Sequence, residues 1–351
     1  MANVLIYPAQ QIIPMPRKGN FAMKLTLSTL LLATGLLTTS IASATTNSLQ
    51  ACSVNGCRTI ATANTSATYA KTKYPVILAH GMAGWSNALG LDYWYGIGPD
   101  LIQNGASVFE TQVASFDSSY IRGEQLHNQV QQILAITGAA KVNLVAHSQG
   151  ALDTRYVAGL MPTRIASITT IGGVNAPIPV ADTVTKLQSS AAGTIFAPVI
   201  AAGVNAFFHV VGVASGHEYD QSTLAGIKQL GTTEMNKFNA LYPAGLPTSS
   251  CGQGPSTANG IRFYSWGGTS KATNILDPLD IFFVATGLIT SGDSDGLVPR
   301  CANHLGQVIR DDYPQNHADE INHVAGLVNI FATSPVTLYR QQLNRLQGAG
   351  L

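Results

Sequence analysis

The chain has 351 residues and a formal charge of +1, and only 11% of its residues are charged, against roughly 25% in an average soluble domain. That balance gives no electrostatic reason to expect nucleic acid as a partner. The length suffices for one large α/β domain or two smaller ones, with a substantial buried core.

At the N-terminus, Lys24 precedes the apolar run Leu25 to Leu37, and the small residues Ala42-Ser43-Ala44 follow as a peptidase site. This is the pattern of a signal peptide over residues 1–44, so the mature chain is expected to begin near Thr45 and to be exported. Met23 stands directly before Lys24, so residues 1–22 read as a mis-assigned start. Residues 45–70, rich in Thr, Ser, Ala and Asn, read as an exposed leader. Four cysteines, Cys52, Cys57, Cys251 and Cys301, lie in the exported part, where oxidation makes disulfides the default. Three connectivities are open; proximity favours Cys52 with Cys57, which by elimination leaves Cys251 with Cys301. No Cys-x-x-Cys pair supports zinc.

The folded domain is expected to start near Tyr74. Tyr74 to Ala79 reads as a buried strand ending in His80-Gly81-Met82, a turn able to aim a backbone N–H into the crevice above a sheet. A short helix follows the aromatic segment Leu91 to Ile97, then a strand from Ser107 to Val113. Leu126, Val130, Ile133, Leu134 and Thr137 recur at helical spacing between Glu124 and Thr137, with Gly138 as the C-terminal cap.

Lys141 to Gly150, Lys-Val-Asn-Leu-Val-Ala-His-Ser-Gln-Gly, reads as a buried strand turning sharply into the helix Gly150 to Met161. Such a turn holds a serine on a strained loop at the carboxyl edge of a parallel sheet, which makes Ser148 the candidate nucleophile. The first position of the Gly-x-Ser-x-Gly pattern is Ala146, small enough for the crowding there. The bland reading of Ser148 is a helix cap. A further strand, Ile165 to Ile171, completes an alternation of strand and helix that predicts a mainly parallel sheet with helices on both faces.

Thr194 to Ala214 is apolar and uncharged. A membrane span fits its length, but Pro198, Gly203 and Gly212 argue against one. We expect a mobile lid at about residues 190–216. Residues 217–242 read as helical, Gly260 to Trp266 as a strand, 276–298 as an acidic loop-rich region, and Pro335 to Leu346 as a terminal helix.

A serine alcohol needs an imidazole to take its proton and a carboxylate to hold that imidazole. After Ser148, the order serine, acid, histidine leaves Asp277, Asp280, Asp293 and Asp295 as acids and His304, His317 and His323 as bases. His147 points the wrong way round the turn. Spacing alone leaves the choice open.

Tyr74-Pro75-Val76-Ile77-Leu78-Ala79-His80-Gly81-Met82, Leu91-Asp92-Tyr93-Trp94, Arg122-Gly123-Glu124-Gln125-Leu126, the serine turn and Asp295-Gly296-Leu297-Val298 together resemble the secreted bacterial true lipases of the Pseudomonas and Burkholderia type. The resemblance runs from about Tyr69 to Gln347. It implies a single α/β-hydrolase domain over residues 71–351 that hydrolyses triacylglycerols at a lipid–water interface, secreted by way of the periplasm with a dedicated foldase as partner. It implies Asp295 as triad acid and His317 as base, Met82 and Gln149 as the backbone donors of an oxyanion hole, and a disulfide between Cys251 and Cys301. It further implies a structural calcium held by the carboxylates of Asp277 and Asp319 and by the backbone carbonyls of His323 and Leu327. Two hard carboxylates plus carbonyls are a donor set that suits calcium. The competing readings are an esterase or polyester depolymerase on the same triad, and a non-catalytic surface-anchored protein.

Overall fold

The structure is a computed structural model that describes residues 45–85, 87–88, 91–188, 219–290 and 292–351. The expected signal peptide, 1–44, and the whole of the expected lid, 190–216, lie outside the described residues. Residues 43–351 make up one compact unit.

The chain opens on two strands, β1 (Thr45–Ser53) and β2 (Gly56–Thr65), paired antiparallel. This corrects the reading of 45–70 as an exposed leader. Leu49, Ala51 and Cys52 on β1 are buried, and Cys52 is bonded to its cross-strand partner Cys57. The signal that could have revealed the hairpin is Asn55-Gly56, a turn dipeptide between threonine-rich runs.

Then follow β3 (Val76–Ala79), the two-residue strands β4 (Asn87–Ala88) and β5 (Leu91–Asp92), helix α1 (Ile97–Gln103), β6 (Val108–Thr111), helix α2 (Ser119–Thr137), β7 (Val142–His147), helix α3 (Gly150–Leu160) and β8 (Ile165–Ile171). Helix α4 (Pro179–Gln188) precedes the undescribed segment. Beyond it come helices at Thr223–Leu230 and Thr232–Leu241, strands β9 (Thr257–Ala258) and β10 (Ile261–Gly268), a helix at Asp280–Ile289, strand β11 (Gln307–Tyr313) and the terminal helix Pro335–Gly348. The strands line up as β11-β10-β8-β7-β3-β6-β1-β2, with β9 beside β10. Every pairing along the path is parallel except that of β1 with β2.

The central strands are buried along their whole length, as strands covered on both faces must be. Because successive side chains point to opposite faces, Val76 and Leu78 of β3 pack with Trp94, Ile97 and the terminal helix residues Leu338, Tyr339 and Leu343. Ile77 and Ala79 pack on the other side with Leu126, Val130 and Ile133 of α2 and Val157 of α3. Helix α2 starts earlier than its apolar spacing predicts: Ser118 caps it, its Oγ accepting from the N–H of Ile121, and Gly138 ends it in the left-handed conformation. The parallel strands all deliver their carboxyl ends to one edge, and the site is built there.

Two other elements differ from expectation. The stretch 276–298 contains the helix Asp280–Ile289, hidden because apolar residues surround its axis and leave no amphipathic pattern. Strand β11 was missed because it is an edge strand of polar, half-exposed residues.

Candidate active site

Strand β7 ends at His147, and the backbone of Ser148 then turns into the left-handed region at φ 55°, a strained conformation for a residue with a Cβ. The turn is held from both sides: the N–H of Ser148 donates to the carbonyl of Ile171 at 3.1 Å, and its carbonyl accepts from Val174 N–H at 3.2 Å. It also needs bare backbone beside it, since a Cβ on Gly150 would lie 2.6 Å from the carbonyl oxygen of Ala79. Ala146 is fully buried, which explains why a small residue suffices there.

His317 arrives from the loop after β11. Asn316 Oδ1 accepts from the N–H groups of Ala318 and Asp319, both at 2.9 Å, and His317 N–H donates to the carbonyl of Asp295 at 2.9 Å. Asp295 is almost fully buried. Its Oδ1 accepts from Leu297 N–H at 2.8 Å and Val298 N–H at 2.7 Å, leaving Oδ2 to meet His317 Nδ1 at 2.7 Å. On the far side of the ring, Nε2 lies 2.8 Å from Ser148 Oγ. With Nδ1–H donating to the carboxylate, Nε2 is the free base and accepts from the serine hydroxyl.

The other candidates are committed elsewhere. His304 contacts Gly252 O and Asp311, each at 2.9 Å. Asp280 accepts from the backbone of Thr273 and Asn274 and from Asn316, and Asp293 is an exposed partner of Arg300. The His323 ring packs edge-on against Trp85 at 5.7 Å, and burial lowers its pKa to about 4.

Sequence reasoning missed the groups behind the imidazole. His147 lies 4.4 Å, centroid to centroid, from His317; its Nδ1 is 2.7 Å from Tyr93 Oη and its Nε2 is 3.4 Å from Glu320 Oε2. Burial, then the His317 ring, push the His147 pKa well down. Burial, then the charge of Asp295, push the Glu320 carboxyl well up. Both shifts favour the neutral forms. His147, His317 and Glu320 are also the one trio among the described residues close enough to share a metal ion. Both ring nitrogens of His317 are already engaged, so an ion there would displace the serine or the aspartate.

The strand β3 turn stands opposite. Arg122 of α2 donates to His80 O at 2.8 Å and also to Ala114 O, fixing the turn's path. Among the described residues, neither the N–H of Met82 nor that of Gln149 has a protein acceptor. Gln149 sits at the N-terminus of α3, where the helix dipole favours negative charge. Above Ser148 opens a cavity of about 250 Å³, lined chiefly by apolar groups that include Met82, Val174, Leu230, Phe282 and Phe283.

Asp277 and Asp319 offer oxygens suited to a hard cation. Asp277 Oδ1 accepts from Leu279 N–H at 2.8 Å, as a helix cap would, yet its Oδ2 is buried without a partner, as is Asp319 Oδ1. Burial raises Asp277 to about 6 and Asp319 to about 7, with the charge of Asp277 adding to the second. Two neighbouring buried carboxyls with orphaned oxygens are a fitting donor set for a divalent oxygen-loving ion. The predicted disulfide joins Cys251 and Cys301.

A family described as the alpha/beta hydrolase fold matches residues 74–303. A triacylglycerol lipase of Vibrio cholerae is 46% identical over 284 residues, 81% of this chain and 90% of its own. One from Burkholderia plantarii is 40% identical over 319 residues, 81% of this chain and 88% of its own. Among solved structures, the mature Bacillus licheniformis lipase BlEst2 resembles the chain with a TM-score of 0.52 at 16% identity, covering 78% of this chain and 92% of that one, a likeness of fold. No helix among the described residues is long and apolar enough to cross a membrane.

Proposed function

We infer what this chain does from the family it belongs to: it is a member of the α/β-hydrolase fold family, related to bacterial triacylglycerol lipases, and a carboxylic ester hydrolase. The finer reading is a lipase that cleaves long-chain triacylglycerols at a lipid–water interface after export. The observation that carries it is the 2.8 Å contact between His317 Nε2 and Ser148 Oγ on the floor of an apolar cavity.

In this reading Ser148 Oγ attacks the ester carbonyl carbon while His317 Nε2 takes the hydroxyl proton. Asp295, bonded to Nδ1–H, fixes the tautomer and stabilises the imidazolium that forms. The N–H groups of Met82 and Gln149 receive the oxyanion, a contribution of about 3 kcal/mol per donor. When the tetrahedral intermediate collapses, the carbon–oxygen bond to the leaving alcohol breaks and His317 gives its proton to that oxygen. Water then enters, loses a proton to His317 and attacks the acyl-serine ester; fatty acid leaves and Ser148 is regenerated. The apolar lining accommodates an acyl chain and excludes bulk water, which strengthens each of these polar contacts.

Calcium is part of the proposal. Asp277 and Asp319, with the carbonyls of His323 and Leu327, would hold it, and when bound it supplies positive charge that neutralises the two carboxylates. Asp319 lies two residues beyond His317, so these ligands would fix the loop that carries the base. The resemblance to the lipases likewise supports secretion by way of the periplasm with the help of a foldase.

Replacing Ser148 by alanine should abolish ester turnover and labelling by a phosphonate; retention of either clears Ser148 of the role. A panel of esters of graded chain length separates the lipase from an esterase, which would favour short acyl groups.

A further inference from the structure

Between residues 272 and 289 the usual distribution of side chains is reversed. Every exposed residue of that stretch is apolar, and both of its carboxylates, Asp277 and Asp280, are buried. In the helix Asp280–Ile289, Ile281, Val284 and Leu288 are 79%, 41% and 83% exposed. Their spacing puts them on one face. A soluble helix normally turns a polar face to water; this one turns an aliphatic face outward. The loop before it adds Ile275 and Leu276, 99% and 71% exposed.

The patch is built rather than frayed. Asp280 turns inward and accepts from Thr273 N–H at 2.7 Å, Asn274 N–H at 2.9 Å and Asn316 Nδ2 at 2.8 Å, tying the loop to the helix start. Asn274 Nδ2 in turn donates to Val328 O at 3.2 Å. That bond brings alongside a second loop, where Phe331 is 93% exposed.

We propose that this face is a docking surface for a lipid phase, which seats the molecule with its catalytic cavity against the lipid. Two observations select that occupant. The same helix lines the cavity of Ser148 and His317 through Phe282, Thr286 and Ile289, so the exposed face belongs to an element that walls the cavity. No exposed side chain of 272–289 carries a charge or a hydrogen-bonding group, which suits fluid hydrocarbon and gives a folded protein partner little to set its orientation. The inference rests on the lipase reading for the identity of the lipid.

The test is adsorption of the full chain carrying Ser148→Ala to a triolein emulsion, measured by flotation. Adding Ile281→Ser with Leu288→Ser, or separately Phe331→Ser, should lower partition by roughly tenfold or more. In the Ser148-containing chain the same changes should leave the thermal midpoint and hydrolysis of soluble p-nitrophenyl acetate within about twofold of the parent, since none of the three side chains lines the cavity. Unchanged adsorption by both variants overturns the proposal. So does a parent dimer that the serine variants convert to monomers, because a second copy would then be the occupant. If the parent adsorbs in this patch-dependent way but does not cleave triolein, the docking surface stands and the lipase reading falls.

Discussion

Gly81 and Ser148 approach so closely that a Cβ added to the glycine would lie 2.6 Å from the Cβ of the serine and 3.1 Å from His147 O. The turn bearing the Met82 N–H and the turn bearing Ser148, from two different strands, are therefore in register only because residue 81 has no side chain. Gly81→Ala must push one turn away from the other. A displacement of even an ångström at a reacting centre costs on the order of a hundredfold in rate. We expect kcat for a soluble ester to fall by about that factor while circular dichroism stays native; a fully active alanine variant would show that the two turns are not coupled.

Glu320 stands 3.6 Å from His317 Nδ1 through Oε2, while its Oε1 accepts from Gly268 N–H at 2.7 Å. Burial and the Asp295 charge both favour the protonated form of this carboxyl, and the amide of Glu320→Gln reproduces that neutral form. That variant should keep activity within a few fold, whereas Glu320→Ala leaves Gly268 N–H unpaired and should cost about 1–3 kcal/mol of stability. A steep loss of turnover in the glutamine variant would mean that the carboxylate is ionised after all.

The pair Asp277 and Asp319 gives a pH signature. Their folded pKa values, about 6 and about 7, lie above the ordinary 3.8, so the metal-free folded state holds protons that the unfolded chain has already released. Their contribution then favours folding at low pH and is lost as pH rises through roughly 4 to 7. Calcium needs the ionised pair and should bind more tightly across the same interval. The gap in thermal midpoint between calcium and chelator should accordingly be wider at pH 8 than at pH 5. No gap at either pH would dismiss the metal.

Arg122 and Asp153 form an ion pair at 2.8 Å with both side chains essentially inaccessible to water. Truncating one partner strands a buried charge, so Arg122→Met should cost about 3–5 kcal/mol and release the His80 carbonyl that the guanidinium holds. Adding Asp153→Leu should recover much of that stability but not the turnover, because the Met82 turn stays unpinned. Denaturant titration read beside kinetics separates the two effects; if the double variant regains full activity, Arg122 does not position that turn.

What was legible in the chain was local. The run Val142 to Ala146 before Ser148, the small residues at 146 and 150, and the helix stop at Gly138 all act within a few residues of themselves. Each could therefore be read without neighbours. The resemblance extended that reading to Asp295, His317 and the Cys251–Cys301 pair, whereas spacing alone had left four acids and three histidines open. The hairpin β1–β2 stayed hidden because its strands are short of apolar residues and only β1 pairs with a strand of the parallel sheet, β6, leaving β2 at the edge.

The sequence by itself determined the fold class and the serine turn, since buried parallel strands and a strained strand-to-helix junction impose their composition on contiguous residues. Only the tertiary structure decided which imidazole meets the serine, because that contact spans 169 positions and depends on where the β7 and β11 loops leave a common sheet edge. It also decided that Glu320 and His147 pack against the His317 ring, and that the helix Asp280–Ile289 turns aliphatic residues to the outside. Burial, exposure and convergence are properties of the packed chain, and no window of residues contains them.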